Sequence, residues 1–406
     1  MIDKLEDFVY RLVKDNETLK KAILLPYQAI FSQVGKLKPR VISKLEYKVY
    51  ENCFFGFHDR VSLNSRGLLI AHREYDDFVN GMGIAEVGYY TLDDESSFKL
   101  ISKTNCCNFQ QGSMATWYDE NSIIFNDSND GNAITRVVDL EGNNIFELPF
   151  HYFSISESKR YVTAINFDCF GKGLPGYGYI GKATSELIQD NNDFLIFDIE
   201  SSEVIFRTNL KEIELTLHKV LNGEKYFSHS SFSPDERYCY FLYRGNDGRK
   251  NSSVLLVYDL VLNKVITLPT TGMVSHLCWL NDSVILAYCS VGNVDGYYKF
   301  YLKNGFVDIV LPVHYSALNR DGHPTSSYSI DVDDFITDCY PDKSRRQKLF
   351  FVKQGKVDVI FDVYSKFKYR GVNRVDFHPR LSQCKRYITV DSPHLKHRCQ
   401  VVIKID

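Results

Sequence analysis

Seven recurrences of one strand–turn–strand pattern, a surplus of strand-favouring aromatics, and an alternating segment at either end of the repeated region predict the fold class. They point to an all-β protein, a seven-bladed β-propeller with a short N-terminal helical extension. The aromatics are 27 Tyr and 28 Phe, against 4 Met and 11 Pro in 406 residues. Such side chains suit the half-buried pleated surface of a strand. The length exceeds that of an average domain, but large all-β units commonly run on undivided.

Residues 1–44 read as the helical extension. Their apolar run from Ala22 to Phe31 is about half of the ~20 residues a bilayer-spanning helix needs, and Lys20, Lys21, Lys36 and Lys38 flank it. A helix packed on the domain or on a partner is one reading, and peripheral association with an anionic inner-membrane surface is the other. No secretory pattern of charged start, apolar core and small-residue cleavage site is evident, which leads us to expect a cytoplasmic protein.

Residues 45–406 read as the propeller. The repeated turn-plus-strand pieces are NSRGLLIAHR from Asn64, DENSIIFND from Asp119, SESKRYVTAIN from Ser156, SPDERYCYFLYR from Ser233, LNDSVILAYCS from Leu280, DVDDFITDCY from Asp331 and SQCKRYITVDS from Ser382. Polar Ser, Asn, Asp or Gly between β-rich runs marks a hairpin. A spacing of roughly 50 residues matches a four-stranded blade with its loops. The longest gap holds the Gly-rich stretch Cys169–Lys182 and a polar region from Lys211 to Lys225, both read as loop insertions. LEYKVYE (Leu45–Glu51) and the terminal CQVVIKID should share one sheet, closing the ring and removing exposed edges.

Composition narrows the function. With 48 Lys+Arg against 51 Asp+Glu the net charge is −3, so no global field would gather nucleic acid. The ten cysteines show no CxxC spacing and sit mostly in apolar runs, as buried reduced thiols do.

Histidine recurs just before the turns, in what should be the innermost strand of each blade: His58, His229, His276, His323 and His378, with His151 in a less certain register. The second unit carries Gln110 and Gln111 there instead. Equivalent positions on different blades converge on the channel axis, so several imidazoles should meet there. Imidazoles without thiolates suit a divalent ion such as Zn or Mn. His276, His323 and His378, from consecutive units, are the metal candidates, and the ion could be catalytic or structural. Tyr177 and Tyr179 lie in the glycine-flanked PGYGY loop, where backbone can approach a ligand closely. Arg244 follows the strand that carries His229.

The ordered motifs FFGFHD, LLIAHRE, NFQQGSM, IIFND, PGYGY, MVSHLCW, DGHPTSSYS, TDCYPD and NRVDFHPRLS run from about Cys53 to the C-terminus. Together they resemble the seven-bladed propellers of the ulvan lyase type and related proteins encoded with bacterial surface-polysaccharide genes, with oligogalacturonate lyases as more distant kin. The resemblance implies a polysaccharide lyase that cleaves an acidic, uronate-containing polysaccharide or oligosaccharide by β-elimination. It implies His58 and His72 as a histidine pair, one of them base or carboxylate partner, and Tyr177 or Tyr179 as proton-transferring phenol. Gln111, Asn126, His229 and Arg244 would line the substrate cleft. One departure stands out: relatives commonly carry an arginine after IIFND, where this chain has Ser128, and the nearest later arginine is Arg136. That departure keeps open a non-lyase glycan-binding or glycan-processing role in bacterial capsule or O-antigen biosynthesis.

Overall fold

The repeated turn has a definite chemistry. In NSRG, SESK, SPDE and SQCK the first side chain accepts from a backbone N–H beyond the turn: Asn64 from Leu68, at 2.9 Å, Ser156 from Tyr161, at 3.1 Å, Ser233 from Tyr238, at 3.0 Å, and Ser382 from Tyr387, at 3.1 Å. The fourth residue turns the chain through the left-handed region, with φ of 75° at Gly67, 68° at Lys159, 60° at Glu236 and 60° at Lys385. One short signature therefore reverses the chain at the inner hairpins of four different blades.

These hairpins build seven antiparallel sheets around a channel. The structure, a computed structural model, describes residue 26 and residues 29–405, apart from 181–182, 184, 189–192, 249–250, 311–317, 319–320 and 328–333. Blade 1 comprises Leu68–Glu74, Met82–Thr91 and Asp94–Asn108, with an inner segment joined only by the bridges Phe54–His72 and Leu63–Leu69. Blades 2 to 5 have four strands each, starting at Thr116, Tyr152, Glu224 and Val274. Blade 6 runs outward from Thr325–Ser326 to Lys356–Tyr364, and blade 7 from Arg380–Leu381 to Cys399–Lys404.

The ring closes as the end segments predict. Tyr47–Glu51 pairs antiparallel with Cys399–Lys404, Tyr47 opposite Ile403 and Glu51 opposite Cys399. Upstream of it, Val41–Ser43, within the extension read from the sequence, adds a fifth strand to blade 6 against Phe361–Val363. A short helix over residues 29–36 precedes this strand. Most of the apolar run from Ala22 to Phe31 lies outside the described residues, and no described helix is long and apolar enough to cross a membrane. The buried Arg346 ties the extension down, donating to Pro39 O at 2.7 Å and to Asp362 Oδ1 at 2.7 Å.

Apolar side chains pack between neighbouring blades. One layer joins blades 1 and 2 through Phe55, Ile70, Trp117 and Phe125, and another joins blades 6 and 7 through Phe361, Phe377, Ile388 and Val401. The ten cysteines form no disulfide.

One buried ionic clamp holds blade 7 to the inner loop of blade 1. Asp391 accepts from Phe55 N, at 3.0 Å, Gly56 N, at 2.9 Å, and Arg380 Nη2, at 3.2 Å. Arg380 also donates to Gly56 O at 2.9 Å and Thr389 Oγ1 at 3.1 Å. Asp391→Ala should therefore destabilise the fold by about 3–5 kcal/mol, since it leaves a buried guanidinium without its counter-charge. Ser382→Ala, which removes one turn bond, should cost only about 1 kcal/mol. Urea unfolding of the two variants measures both, and equal losses would refute the ranking.

Candidate active site in the central channel

A backbone irregularity aims the imidazoles inward. In blade 4, Ser228 faces Leu242 but Ser231 faces Tyr240, so 229 and 230 form a bulge in the innermost strand. Blade 5 repeats this between Val274 and Leu277. Blade 7 does so between Phe377, which accepts from Asp391 N, and Arg380, opposite Thr389. A bulge re-aims side chains that a regular strand would alternate. The leading bulge residues His229 and His378 take φ of 49° and 45°, and Met114, at the corresponding place in blade 2, takes 62°. In blade 1 the bulge is enlarged into the loop Gly56–Arg60, which carries Phe57 and His58 into the channel.

Phe57 is the hub of the cluster. Its ring centroid lies 4.5 Å from that of His58, 5.1 Å from those of His229 and His378, 6.0 Å from His276 and 6.3 Å from His323. His276 and His323 are 3.9 Å apart, His323 and His378 4.3 Å, and His58 and His323 5.5 Å. All five are buried. The recurrence of histidine in the sequence thus marks positions that meet in space.

Three donors are arranged for a metal ion. Ligand atoms of His323, Asp376 and His378 lie within 4.8 Å of one another. His323 Nδ1 is bonded to Asp338 Oδ1 at 2.8 Å, which fixes the ring and leaves Nε2 for a ligand. His323 Nε2, His378 Nε2 and Asp376 Oδ1 are all buried without a hydrogen-bond partner. Unpaired buried polar atoms are costly, so this donor set fits a divalent ion. His276, the third histidine expected to bind metal, sits beside the group with its Nε2 3.1 Å from Tyr340 Oη.

Burial sets the charge of the other rings. It is the largest influence lowering His58, His229, His276 and His378 well below the ordinary imidazole value, followed by the cationic field of His323 or, for His229, of Arg244. These rings are neutral. At His323 burial works in the same direction and is the largest single influence, but the carboxylates of Asp338, Asp376 and Asp321 together outweigh it and hold the ring above its ordinary value. Burial likewise raises Tyr177, keeping the phenol protonated. Its Oη accepts from Arg374 Nη2 at 2.9 Å, so its own proton is free to be given elsewhere. Arg244 donates to Ser275 O at 3.0 Å, and its field reaches both Tyr177 and His229.

The remaining residues singled out in the sequence divide. Tyr177, His229 and Arg244 join the cluster. His72 lies within blade 1, stacked 5.3 Å from Phe54, with Nε2 accepting from Ser113 N at 3.1 Å; it shares no ring contact with the channel imidazoles among the described residues. Gly112, with φ of 62°, packs on that ring, and a Cβ there would come within 2.4 Å of His72 Cε1. Tyr179 stacks on Phe167 at 4.7 Å and accepts from Asn126 Nδ2 at 2.9 Å. Asn126 also bonds Tyr152 O and N and Thr135 Oγ1. The Gln111 side chain is buried without a partner. Ser128 donates to Asn105 Oδ1 at 2.9 Å, and Arg136 pairs with Asp127 and Glu147.

The sequence reading missed Asp338, Tyr340, Arg374, Asp376 and Asp321. A signal was present: Arg374, Asp376 and His378 are spaced by two, as residues on one face of an extended segment are. Asp321, whose Oδ1 is unpartnered, is pushed up to about 7, chiefly by burial.

The interior histidines make stability depend on pH. Burial brings His72 and His151 down to about 4 from an ordinary 6.5. Below pH 6.5 the unfolded chain therefore binds protons that the folded chain refuses. Their contribution is complete above pH 6.5 and is lost as pH falls toward 4, by about 2 kcal/mol per histidine at pH 5. Urea unfolding between pH 7.5 and 5 should show this decline, and His72→Asn should make it shallower whatever its effect at pH 7.5. An unchanged slope would assign the pH dependence to other groups.

No family model and no curated protein matches the sequence. Among solved structures, the chain is similar to an oligogalacturonate lyase in complex with manganese, at 12% identity and a TM-score of 0.59, the alignment covering 91% of this chain and 98% of that one. It is similar also to the oligogalacturonate lyase of Vibrio parahaemolyticus, at 11% identity and a TM-score of 0.59, covering 91% of this chain and 99% of the other. What the two likenesses establish is the fold, a β-propeller.

Proposed function

We propose that this chain is a lyase-like enzyme that cleaves a uronate-containing acidic glycan by β-elimination, as the ulvan lyase type does. The observation that carries the reading is the meeting, in one buried channel, of a metal-type donor set with a cationic guanidinium, a neutral imidazole and a protonated phenol. Similarity to an oligogalacturonate lyase solved with manganese supports the substrate class.

His323, Asp376 and His378 would hold a divalent ion, with manganese or zinc as the candidates. A bound ion would supply positive charge to a uronate carboxylate and so acidify the adjacent C5 proton. Arg244, whose field reaches His229 and Tyr177, adds positive charge. His229, neutral and with both ring nitrogens unpartnered, takes the C5 proton as its C–H bond breaks and the C4–C5 double bond forms. The C4–O bond breaks in the same process, and Tyr177 gives its proton to the departing glycosidic oxygen. His58 packs on Phe57 at 4.5 Å between ring centroids and lies 5.5 Å from His323.

A second reading, glycan binding or processing without elimination, draws on Ser128 and on Arg136, which Asp127 and Glu147 already engage. Incubation with uronate polymers in the presence of manganese distinguishes the two. The unsaturated uronate product absorbs in the ultraviolet, and its absence with every polymer would refute elimination. Tyr177→Phe and His229→Ala should each lower kcat by about 10²- to 10⁴-fold with metal content unchanged. Asp376→Asn and His378→Ala should instead weaken metal binding, measured by calorimetry, and unaltered affinity would remove the ion from this site.

A further inference from the structure

One strap of the surface carries unpaired positive charge although the chain as a whole is slightly acidic. Arg40, Lys366, Lys368, Arg370 and Lys396 gather where the link between blades 6 and 7 passes the N-terminal extension, and none of them forms an ion pair among the described residues. Their proximity shows in Lys366, lowered first by burial and then by the fields of Arg40, Lys368 and Lys396. Glu74 feels the fields of Arg398, of the neighbouring carboxylate Asp77, of His397 and of Lys368.

The strap is held in shape from beneath. Buried Arg345 spends its guanidinium on Ser365 O at 3.1 Å, Ser365 Oγ at 2.8 Å, Lys366 O at 3.3 Å and Tyr369 O at 2.7 Å. Lys368 Nζ and Tyr369 Oη both donate to Lys396 O, at 2.6 and 3.1 Å. Like charges are thus fixed side by side, at an electrostatic cost that an anion would relieve.

The strap also leads to the channel. Val372 lies against both the PGYGY loop and blade 1: a Cβ on Gly176 would sit 3.2 Å from its Cγ1, and one on Gly81 2.9 Å from its carbonyl oxygen. Two residues on, Arg374 bonds Tyr177 Oη inside the site. Between Lys366 and Arg370, and at Lys396, no exposed large hydrophobic residue accompanies the charge, and those of the extension, Ile30, Val34 and Leu37, precede Arg40; the charge of the link itself therefore suits a polyanion, and binding to a lipid surface is an outcome of the test. Stacked nucleobases are also disfavoured, since Arg370 covers Phe367 at 4.6 Å and Lys368 covers Tyr369 at 4.8 Å.

We propose that this strap is an outer binding track on which successive carboxylates of the acidic glycan are held as the polymer approaches the channel. The inference rests on the glycan reading above and adds to it a preference for long substrates.

The test uses the full chain loaded with manganese, with polygalacturonate as probe. Wild-type protein should bind the polymer with an affinity that falls as salt rises. The triple variant Lys366→Ala/Lys368→Ala/Lys396→Ala should bind at least tenfold more weakly and depend less on salt. Its turnover of a trigalacturonate should be unchanged, so that only KM for the polymer rises. Equal polymer affinity in wild type and variant overturns the track, as does wild-type binding to phosphatidylglycerol vesicles or single-stranded DNA in place of the polymer. Charge-dependent polymer binding without any turnover sinks β-elimination and leaves the track standing, whereas turnover with charge-independent binding does the reverse. Should the triple variant lose its thermal transition, Lys368→Glu alone carries the same comparison.

Discussion

Everything in the channel hangs on how the loop Gly56–Arg60 is held. It is not part of a regular strand, and its backbone donors at Phe55 and Gly56 find their acceptor in the Asp391 carboxylate of the neighbouring blade. Arg380 neutralises that carboxylate and takes Gly56 O in turn. The clamp holds the loop that carries Phe57, and among the described residues Phe57 is the one ring in contact with all five channel histidines. A buried ion pair of this kind adds little net stability, because two charges must first be desolvated. What it supplies is position: it fixes the loop at the join where the chain's two ends also meet.

Around that hub the structure separates charge by local pairing. Five imidazoles in one enclosed space could not all be cationic, and burial keeps four of them neutral. The exception, His323, is the ring with a carboxylate on its far nitrogen. Asp376 is balanced by Arg374 at 2.6 Å, which still leaves its Oδ1 unpartnered. Neutral rings with free lone pairs, one oriented histidine and one half-satisfied carboxylate are what ligand binding requires. They are also what an inert core would avoid.

The fold was legible because its determinants are local and repeated. In four blades the Ser or Asn that opens the turn and the apolar run that follows occur within about ten residues, so those hairpins could be read one by one. Ring closure was legible too, since an unmatched strand at each end leaves few other partners. The site was legible only in part. Histidines were recognised by their recurrence, but Asp376 and Arg374 occur once each, and nothing repeats to mark them; only their spacing from His378 places them on its face. His72 shows the opposite difficulty. It stands close to His58 in sequence and in a similar apolar run, yet it sits one strand further out, where Ser113 satisfies it. Chain proximity did not become proximity at the axis.

That difference bears on how the channel and the surface strap are connected. Tyr177 comes from the insertion between the second and third strands of blade 3, and Arg374 from the segment that enters blade 7, on the other side of the ring. Their hydrogen bond crosses the mouth, and Val372 lies against the same insertion at Gly176. The link that carries the cationic strap is therefore continuous with the residue that holds the phenol.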